Sequence, residues 1–202
     1  MIGDEEYVTC GSAIKLSHFQ SREYVLNSVG MNLGSGSGQQ IVTATTESSD
    51  TDTFWWIRSP NDPDHRGSSS SACTEGTAQT IPCGSIVRLT HLNSKKNLHS
   101  HNVRSPLSKQ QEVSAFGDGD LFGDNGDDWK VICSTEFWMR EEVVHLQHVD
   151  SGKYLGASST VKFTHQNCGR NCPILNHLEV FGRGAKDAYG QWFVEEGVVL
   201  SH

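Results

Sequence analysis

The chain repeats one short phrase three times, and that repetition limits the folds it can adopt more than any other feature. The copies are Ala13–His18 (AIKLSH), Ile86–His91 (IVRLTH) and Val143–His148 (VVHLQH). A tryptophan follows the closing histidine of each copy after 37, 38 or 44 residues. A self-similar unit of roughly constant length, with insertions between its copies, is typical of repeat architectures. Three copies favour a closed threefold structure over an open array.

Each phrase alternates apolar and polar residues, which predicts a short half-buried β-strand. In the first copy, Ile14, Leu16 and His18 share one face, whereas Lys15 and Ser17 lie on the other. Three further short strands follow in each unit, so the sequence predicts about twelve strands and an all-β fold. Closing these strands into a barrel removes the exposed edges that an all-β chain must otherwise protect.

The three units form one predicted domain that covers residues 1–202. Unit one spans approximately residues 8–58, unit two residues 81–133 and unit three residues 138–198, with an insert at 59–80. The insert is rich in Ser, Pro, Asp and Thr, which indicates a surface connection. No polar linker separates independent cores, so we expect a single core shared by all three units.

Three histidines and three tryptophans recur at fixed places in the units, which favours structural roles for them. They are His18, His91, His148, Trp55, Trp129 and Trp192. We predict that one nitrogen of each imidazole bonds a turn carbonyl and that each indole is buried. The alternatives are a set of ligands around an axis for the histidines and sugar-stacking surfaces for the tryptophans. Trp56 and Trp138 fall outside this register, and a surface role is open for both.

The cysteines indicate an oxidising compartment. Their positions are Cys10, Cys73, Cys83, Cys133, Cys168 and Cys172. None forms a Cys-x-x-Cys pair, so zinc and thioredoxin-type sites are disfavoured, and an even number in a glycine-rich chain favours disulfides. Cys168 and Cys172 can close a short loop and Cys73 and Cys83 bracket another, but the sequence does not fix the connectivity. Buried free thiols are the alternative.

Charge and motifs exclude several classes of function. The net charge of −8 disfavours nucleic acid and anionic membranes as partners, since both are anionic and bind positively charged protein surfaces. No apolar run approaches the roughly 20 residues of a membrane span. The chain has no Gly-x-Ser-x-Gly and no His-Glu-x-x-His motif, and its Gly-Ser stretch at 34–38 lacks the Lys-Ser/Thr of a phosphate loop. We therefore predict no enzymatic activity and no cofactor.

A metal site is also not expected. His99 and His101 are two residues apart on a predicted strand, which suits metal ligation, but the sequence shows no third ligand nearby. The acidic loop at 117–128 (GDGDLFGDNGDD) lacks the ligand spacing of a calcium-binding hand. A solvated charged loop is the better interpretation.

Several segments together resemble the MIR-repeat proteins of the stromal cell-derived factor 2 type. The resemblance runs from Val8 to Gly197 and is strongest in unit two. The matching segments are VTCGS at 8–12, GSGSGQQ at 34–40, RLTH at 88–91, LHSH at 98–101, SPLS at 105–108 and EVSAFG at 112–117.

The resemblance implies a β-trefoil of three MIR repeats, with pseudo-threefold symmetry. It also implies a non-enzymatic protein of the endoplasmic reticulum lumen that works with Hsp40- and Hsp70-type chaperones and client polypeptides in protein quality control. Neither Met1–Asp4 nor Val199–His202 reads as a targeting signal, so the expected localisation rests on the resemblance and the cysteines. The alternatives are a lectin-like domain for mannosyl or related glycans, and the accessory domain of a protein O-mannosyltransferase.

Unit two holds the candidate ligand-binding residues, because the Leu-His-Ser-His phrase is intact only there. They are His99, His101, Arg104, Gln110 and Gln111. Their donors and acceptors suit sugar hydroxyls or a peptide backbone, and the alternative is that they only hold the loop together. In unit three, Asn176-His177 is expected to replace the Gln pair.

Two surface features would separate the functional alternatives. A lectin should expose an aromatic residue beside Asn, Asp or Gln in a shallow pocket, with Trp56 or Trp138 as the first place to look. A chaperone adaptor should instead expose a contiguous apolar patch of several hundred Å².

Overall fold

The computed structural model describes residues 6–47, 51–60, 73, 78–118 and 123–199. Most of the predicted insert at 59–80, and residues 119–122 of the acidic loop, lie outside these ranges. The only α-helix in the described ranges is a single turn, α1 (His165–Cys168). No helix in those ranges is long and apolar enough to span a bilayer.

The prediction of an all-β chain with twelve strands is confirmed for the described residues. In chain order the strands are β1 (Ser12–His18), β2 (Val25–Asn32), β3 (Gln40–Thr45), β4 (Trp55–Arg58), β5 (Ile86–His91), β6 (Asn97–Arg104), β7 (Gln111–Phe116), β8 (Trp129–Ile132), β9 (His145–His148), β10 (Tyr154–Lys162), β11 (Leu178–Arg183) and β12 (Trp192–Val199). Each unit therefore contributes four.

The first and fourth strands of the units form a closed ring. The pairs β1–β4, β4–β5, β5–β8 and β8–β9 are antiparallel, and β12 returns to pair with β1. A bridge between Val144 and Trp192 joins β12 to the start of β9. Closure satisfies the backbone groups that an open sheet would leave unpaired at its edges.

The second and third strands form three hairpins that meet at one end of the ring. These hairpins are β2–β3, β6–β7 and β10–β11, and the third strands also pair with one another around the axis as β3–β7, β7–β11 and β11–β3. The threefold repetition of the sequence is thus present in the pairing of the strands. One cluster of buried apolar side chains draws on all three units.

The prediction that β1 is half buried is wrong, since all seven of its residues are buried. Its polar face is covered rather than solvated. The Lys15 ammonium lies 4.7 Å from the centre of the Phe54 ring, and the Ser17 hydroxyl donates to Glu195 Oε2 at 3.1 Å. Alternation located this strand correctly, but it could not show that a neighbouring segment covers the second face.

All six cysteines form disulfides, so the alternative of buried free thiols is wrong. The bridges are Cys10–Cys73, Cys83–Cys133 and Cys168–Cys172. The short loop closed by the last pair was among the expected possibilities, whereas Cys73 and Cys83 do not pair with each other. Their separation in sequence suggested a loop, but each lies beside a cysteine from a different segment of the fold.

Candidate functional site

The repeated tryptophans and histidines connect the three units in a cycle. Each histidine ring packs on the tryptophan of the preceding unit: His91 on Trp55, His148 on Trp129 and His18 on Trp192, with ring centroids 5.0 to 5.2 Å apart. The indole nitrogens donate to the carbonyls of Leu26, Leu98 and Leu155 at 3.1, 2.9 and 2.9 Å. These residues are structural contacts between units in this geometry.

Each histidine also bonds a carbonyl of the 3-10 turn that precedes that tryptophan. The Nε2 atoms of His18, His91 and His148 lie 3.0, 3.0 and 2.9 Å from the carbonyl oxygens of Tyr189, Asp52 and Gly126. Burial lowers the pKa of His18 and His148, against the opposing effect of these carbonyls. His18 and His148 are therefore neutral near pH 7, with Nε2 as the donor.

A glutamine and a serine extend this contact at two of the three junctions. Gln111 Nε2 donates to Ser151 Oγ at 2.8 Å, and Ser151 Oγ lies 2.7 Å from His148 Nδ1. Gln40, Ser94 and His91 form the same relay between units one and two.

The third junction lacks the relay because an apolar residue takes the glutamine position. The strand register aligns Gln40 and Gln111 with Leu178. The expected replacement of the glutamine pair by Asn176-His177 is therefore wrong by one residue, because the aligned pair is His177-Leu178. His18 Nδ1 is left buried without a hydrogen-bond partner.

A buried carboxylate orients His99. Its Nδ1 lies 2.8 Å from Asp127 Oδ1, and Asp127 Oδ2 accepts from Asn97 Nδ2 at 3.2 Å and from the Asp124 amide at 2.9 Å. This pairing makes Nδ1 of His99 the donor to the Asp127 carboxylate. Gly126 is required here, since a Cβ at that position would lie 2.4 Å from His99 Cε1.

The same residues form the only cluster in the described ranges with the composition and spacing of a cation site. His99, Asp124 and Asp127 each bring one ligand atom, and these atoms lie within 4.8 Å of one another. Sequence reasoning missed the two aspartates, because they lie in the loop before β8, and it had paired His99 with His101 instead. A cation would have to replace the hydrogen bond between His99 and Asp127. The absence of a metal stays a prediction.

Glu112 holds His101 from the opposite side. It is buried, its Oε1 lies 2.9 Å from His101 Nε2, and it accepts from the Ser37 hydroxyl and amide of unit one. Burial raises the pKa of Glu112, but the hydrogen bonds from His101 and Ser37 outweigh it and hold the pKa below its ordinary value. Glu112 therefore stays ionised and fixes both partners.

His99 and His101 line an open cavity of about 510 Å³, named here the polar cavity. Their rings pack edge to face with centroids 5.0 Å apart. The other lining residues are Gln39, Ser100, Phe116, Asp124, Asn125, Gly126 and Asp150. Phe116 is 39% exposed and its ring centroid lies 4.9 Å from that of His99. An exposed aromatic ring thus stands beside amide, carboxylate and imidazole groups.

The aromatic residues singled out from the sequence lie elsewhere. Trp138 is fully buried, so a surface role for it is excluded. Trp56 is half buried, and the Arg58 guanidinium lies 5.0 Å from the centre of its ring. Phe116 ends a strand next to the acidic loop, and no repeat position marked it.

The structure separates the five candidate residues into two groups. Arg104, Gln110 and Gln111 line a smaller cavity of about 230 Å³, which shares no lining residue with the polar cavity. Gln111 donates to Ser100 and Ser151, so its amide group already serves the fold. The five residues are close in sequence but do not form one site.

A third cavity, named here the apolar groove, lies where unit three meets unit one, and the loop after β6 of unit two completes its lining. It measures about 460 Å³. Its lining residues are Met31, Asn32, Leu33, Gly34, Ser35, Ile41, Pro106, Leu107, Phe163, Asn167, Cys168, Pro173 and Ile174. Ile41, Phe163 and Ile174 form a second buried cluster beneath it.

The groove is apolar because one repeat position differs between units. Ile41 takes the place that Glu112 and Glu179 occupy in units two and three. Glu179 accepts four hydrogen bonds from Ser105, Leu107 and Ser108 of the preceding unit, at 2.6 to 3.0 Å. Ile41 meets Phe163 and Ile174 instead. Two junctions are therefore polar and the third is apolar.

Comparison with known proteins places these features in a family context. Residues 6–167 match the MIR domain. The chain is 42% identical over 195 residues to stromal cell-derived factor 2-like protein 1 of Mus musculus, covering 96% of this chain and 78% of that protein.

Solved structures of similar fold include a protein of the same family and an enzyme complex. The SDF2-like protein of Arabidopsis thaliana superposes with a TM-score of 0.78 at 35% identity, covering 96% of this chain and 97% of that one. The S. cerevisiae protein O-mannosyltransferase Pmt1-Pmt2 complex, bound to the sugar donor, matches with a TM-score of 0.78 at 26% identity. That match covers 98% of this chain and 26% of the other.

Proposed function

Because the chain belongs to the stromal cell-derived factor 2 family of MIR-domain proteins, we propose that it is a non-enzymatic binding module of the endoplasmic reticulum lumen. In this role it binds client polypeptides and acts with Hsp40- and Hsp70-type chaperones in protein folding and quality control. The three disulfides favour an oxidising compartment. The polar and apolar cavities supply two surfaces for recognition.

The proposed architecture is a β-trefoil of three MIR repeats in one domain, with repeats at about 8–58, 81–133 and 138–198. The ring of six strands, the three hairpins and the cyclic histidine–tryptophan contacts support it. Such a scaffold presents loops from three related units, and each junction between units can diverge on its own.

The apolar groove is the observation that carries client binding. Its volume lies in the range of ligand-binding pockets, and it is formed mainly by aliphatic, aromatic and proline side chains. Met31 at its edge is 43% exposed, which is unusual for a large apolar side chain. An extended apolar peptide segment can place one or two side chains there and exclude water from them.

A matched pair of variants tests the groove. We expect Met31→Glu to weaken binding of a labelled apolar decapeptide by at least about tenfold, because a charge beside a desolvated apolar side chain is unfavourable. Val149→Glu is the control, since Val149 is 42% exposed and lies outside the groove. Fluorescence anisotropy measures both affinities. Equal affinity for the two variants would place client binding elsewhere.

The chaperone association is tested with the same proteins. Purified lumenal Hsp40- and Hsp70-type chaperones should be retained on the immobilised domain, and salt and ATP dependence should distinguish specific from non-specific retention. Absence of binding with both chaperone classes, alone and together, would refute the adaptor role while leaving direct client binding intact.

Glycan recognition in the polar cavity is a second proposed function, and Phe116 favours it. An exposed ring beside imidazole, amide and carboxylate groups matches the requirement for stacking on a sugar while bonding its hydroxyls. The similarity to a protein O-mannosyltransferase complex makes mannosyl groups the first ligands to try. The same similarity supports, as a further proposal, that the chain is an accessory domain of such an enzyme.

An array of mannosides tests this second function. We expect Phe116→Ala and His101→Ala to abolish any saturable signal while the protein stays folded, because both side chains line the polar cavity. Tyr189→Ala is the control, since Tyr189 is 41% exposed and lies outside it. Signal that survives both cavity variants would exclude this site.

A further inference from the structure

The junction between units two and three differs from the other two in its charge. Two positions are compared at each junction. The first is the last residue of the second strand of one unit. The second lies in the turn of the next unit, where a backbone carbonyl accepts a hydrogen bond from the backbone amide of the repeated histidine. At the end of the strand, the register aligns Asn32, Arg104 and Lys162, which face Gln40, Gln111 and Leu178. In the turn of the following unit, the equivalent residues are Lys96, Lys153 and Tyr24.

Only one junction combines two cations at these positions. Asn32 accompanies Lys96 between units one and two. Between units three and one, the Lys162 ammonium lies 5.5 Å from the centre of the Tyr24 ring, which stabilises the charge as a cation–π contact. Between units two and three, Arg104 and Lys153 line the same small cavity.

The charges of Arg104 and Lys153 are not compensated by the surrounding structure. Within the described ranges, neither the guanidinium of Arg104 nor the ammonium of Lys153 has a hydrogen-bond or ion-pair partner. The remaining lining residues are Asn102, Val103, Lys109, Gln110, Gln111, Gly182 and Gly184, so no carboxylate lines the cavity. Lys109 adds a third cation, whose Nζ donates to the Pro106 carbonyl at 2.6 Å.

Gly182 gives Lys153 room to occupy this position, and Gly184 lies beside its ammonium. A Cβ at Gly182 would lie 3.2 Å from Lys153 Cβ and 3.1 Å from Gln111 Cβ. A Cβ at Gly184 would lie 3.5 Å from Lys153 Nζ. The Lys153 side chain therefore begins beside Gly182, where that residue faces Gln111, and its ammonium ends beside Gly184, just after β11. Lys153 is half buried, whereas Arg104 and Lys109 are exposed at the mouth of the cavity.

We propose that this cavity, named here the cationic cavity, binds a single oxyanion group, a carboxylate or a phosphate. Like charges brought together without a counter-charge repel each other, and an anion between them removes that cost. This cluster of cations differs in sign from the chain as a whole, which carries a net charge of −8. At about 230 Å³ the cavity is smaller than the pockets that enclose whole drug-sized ligands, so it suits one anionic group of a larger molecule or a free small anion. Arginine offers paired donors for planar or tetrahedral oxyanions, and lysine adds a point charge.

This site is independent of the proposed function. It lies apart from the polar cavity and from the apolar groove, and it shares no lining residue with either. Its failure would therefore leave client and glycan binding as they stand, and their failure would leave this site as it stands.

Titration with two probes tests the proposal on the whole domain. Inorganic phosphate and acetate are added separately at constant ionic strength, and amide chemical shifts are followed by NMR. We expect saturable shifts centred on Gln110, Gly182 and Gly184, with an affinity that falls as sodium chloride is raised. A stronger response to phosphate assigns the site to phosphate groups, and a stronger response to acetate assigns it to carboxylates.

Charge-removing variants distinguish this cavity from general attraction to surface cations. Arg104→Gln and Lys153→Gln should each lose at least about tenfold in affinity, since each removes charged hydrogen bonds. Lys130→Gln is the control, because Lys130 is an exposed cation on β8 outside the cavity. Linear shifts that do not saturate with either probe, or equal losses in all three variants, would overturn the proposal.

Discussion

At the residue scale, the histidine contacts of the three junctions form a natural comparison. His148 bonds through both nitrogens, whereas His18 has a partner only at Nε2. A serine lies three residues after each of these histidines. The Ser151 hydroxyl bonds His148, whereas the Ser21 side chain has no hydrogen bond in the described ranges. Replacing each serine therefore tests what the extra bond to the imidazole contributes.

We expect Ser151→Ala to destabilise the domain by about 1 kcal/mol, because it removes the hydroxyl that bonds both His148 Nδ1 and the Gln111 amide. Each group keeps one other partner, since the amide of residue 151 donates to His148 Nδ1 at 3.3 Å and Gln111 donates to Ser100. Ser21→Ala should change the free energy of unfolding by less than about 0.5 kcal/mol. Urea denaturation of both variants measures the difference. Equal costs would show that the relay contributes nothing.

The lowered histidine pKa values predict a loss of stability in acid. Burial lowers the pKa of His18, His145, His148 and His177 from the ordinary value of 6.5. The unfolded chain then binds more protons than the folded one below that pH, so stability is complete above about pH 6.5 and falls as the pH decreases.

The free energy of unfolding, measured in urea between pH 7.5 and 5, should therefore fall continuously. His148→Gln should flatten this dependence, since it removes one of the titrating groups, at the cost of lower stability at pH 7.5. A wild-type profile that is flat over this range would contradict the assignment of neutral buried rings.

At the element scale, loops of one unit are anchored on the third strand of the next. The loop after β6 donates four hydrogen bonds to Glu179 on β11, and the loop after β2 donates to Glu112 on β7. The third anchor is apolar, through Ile41, Phe163 and Ile174. The same geometry is thus held by charge at two junctions and by apolar packing at one.

Glu179→Ala should destabilise the domain by about 3 kcal/mol or more, because it leaves two backbone amides and two hydroxyls without their common acceptor. Hydrogen exchange should accelerate most at the amides of Leu107 and Ser108. The matched variant Glu47→Ala removes an exposed carboxylate and should leave exchange there unchanged. Uniform acceleration over the whole chain would argue against a local anchor.

At the scale of the whole molecule, the disulfides divide into two that tie distant segments and one that is local. Cys10–Cys73 and Cys83–Cys133 join residues 63 and 50 positions apart, whereas Cys168–Cys172 spans four. The long bridges restrict the unfolded chain more, so they contribute more stability.

Replacing Cys83 and Cys133 together by Ser should lower the free energy of unfolding by about 2–5 kcal/mol. The double replacement of Cys168 and Cys172 should cost clearly less, and its effect should be local to the apolar groove that Cys168 lines. Urea denaturation of both double variants gives the comparison. A larger loss for the short bridge would contradict the chain-entropy argument.

The amino-acid sequence by itself determined the strand count, the threefold organisation and the family. Period-two alternation and the recurrence of His18, His91 and His148 are patterns along the chain. They can be recognised without knowing which segments are in contact in the fold. The unit containing the intact Leu-His-Ser-His phrase could also be picked out, because that phrase is absent from the other two units.

Only the tertiary structure decided how the candidate residues divide among surfaces. Asp127 reaches His99 from 28 positions away, and Ser37 reaches Glu112 from 75. Residues as close in sequence as His101 and Arg104 line different cavities. The physical reason is that a site is formed by closure of the ring. Closure brings the loop of one unit onto the strand of the next, and only the register between those strands determines which charges, rings and apolar groups meet.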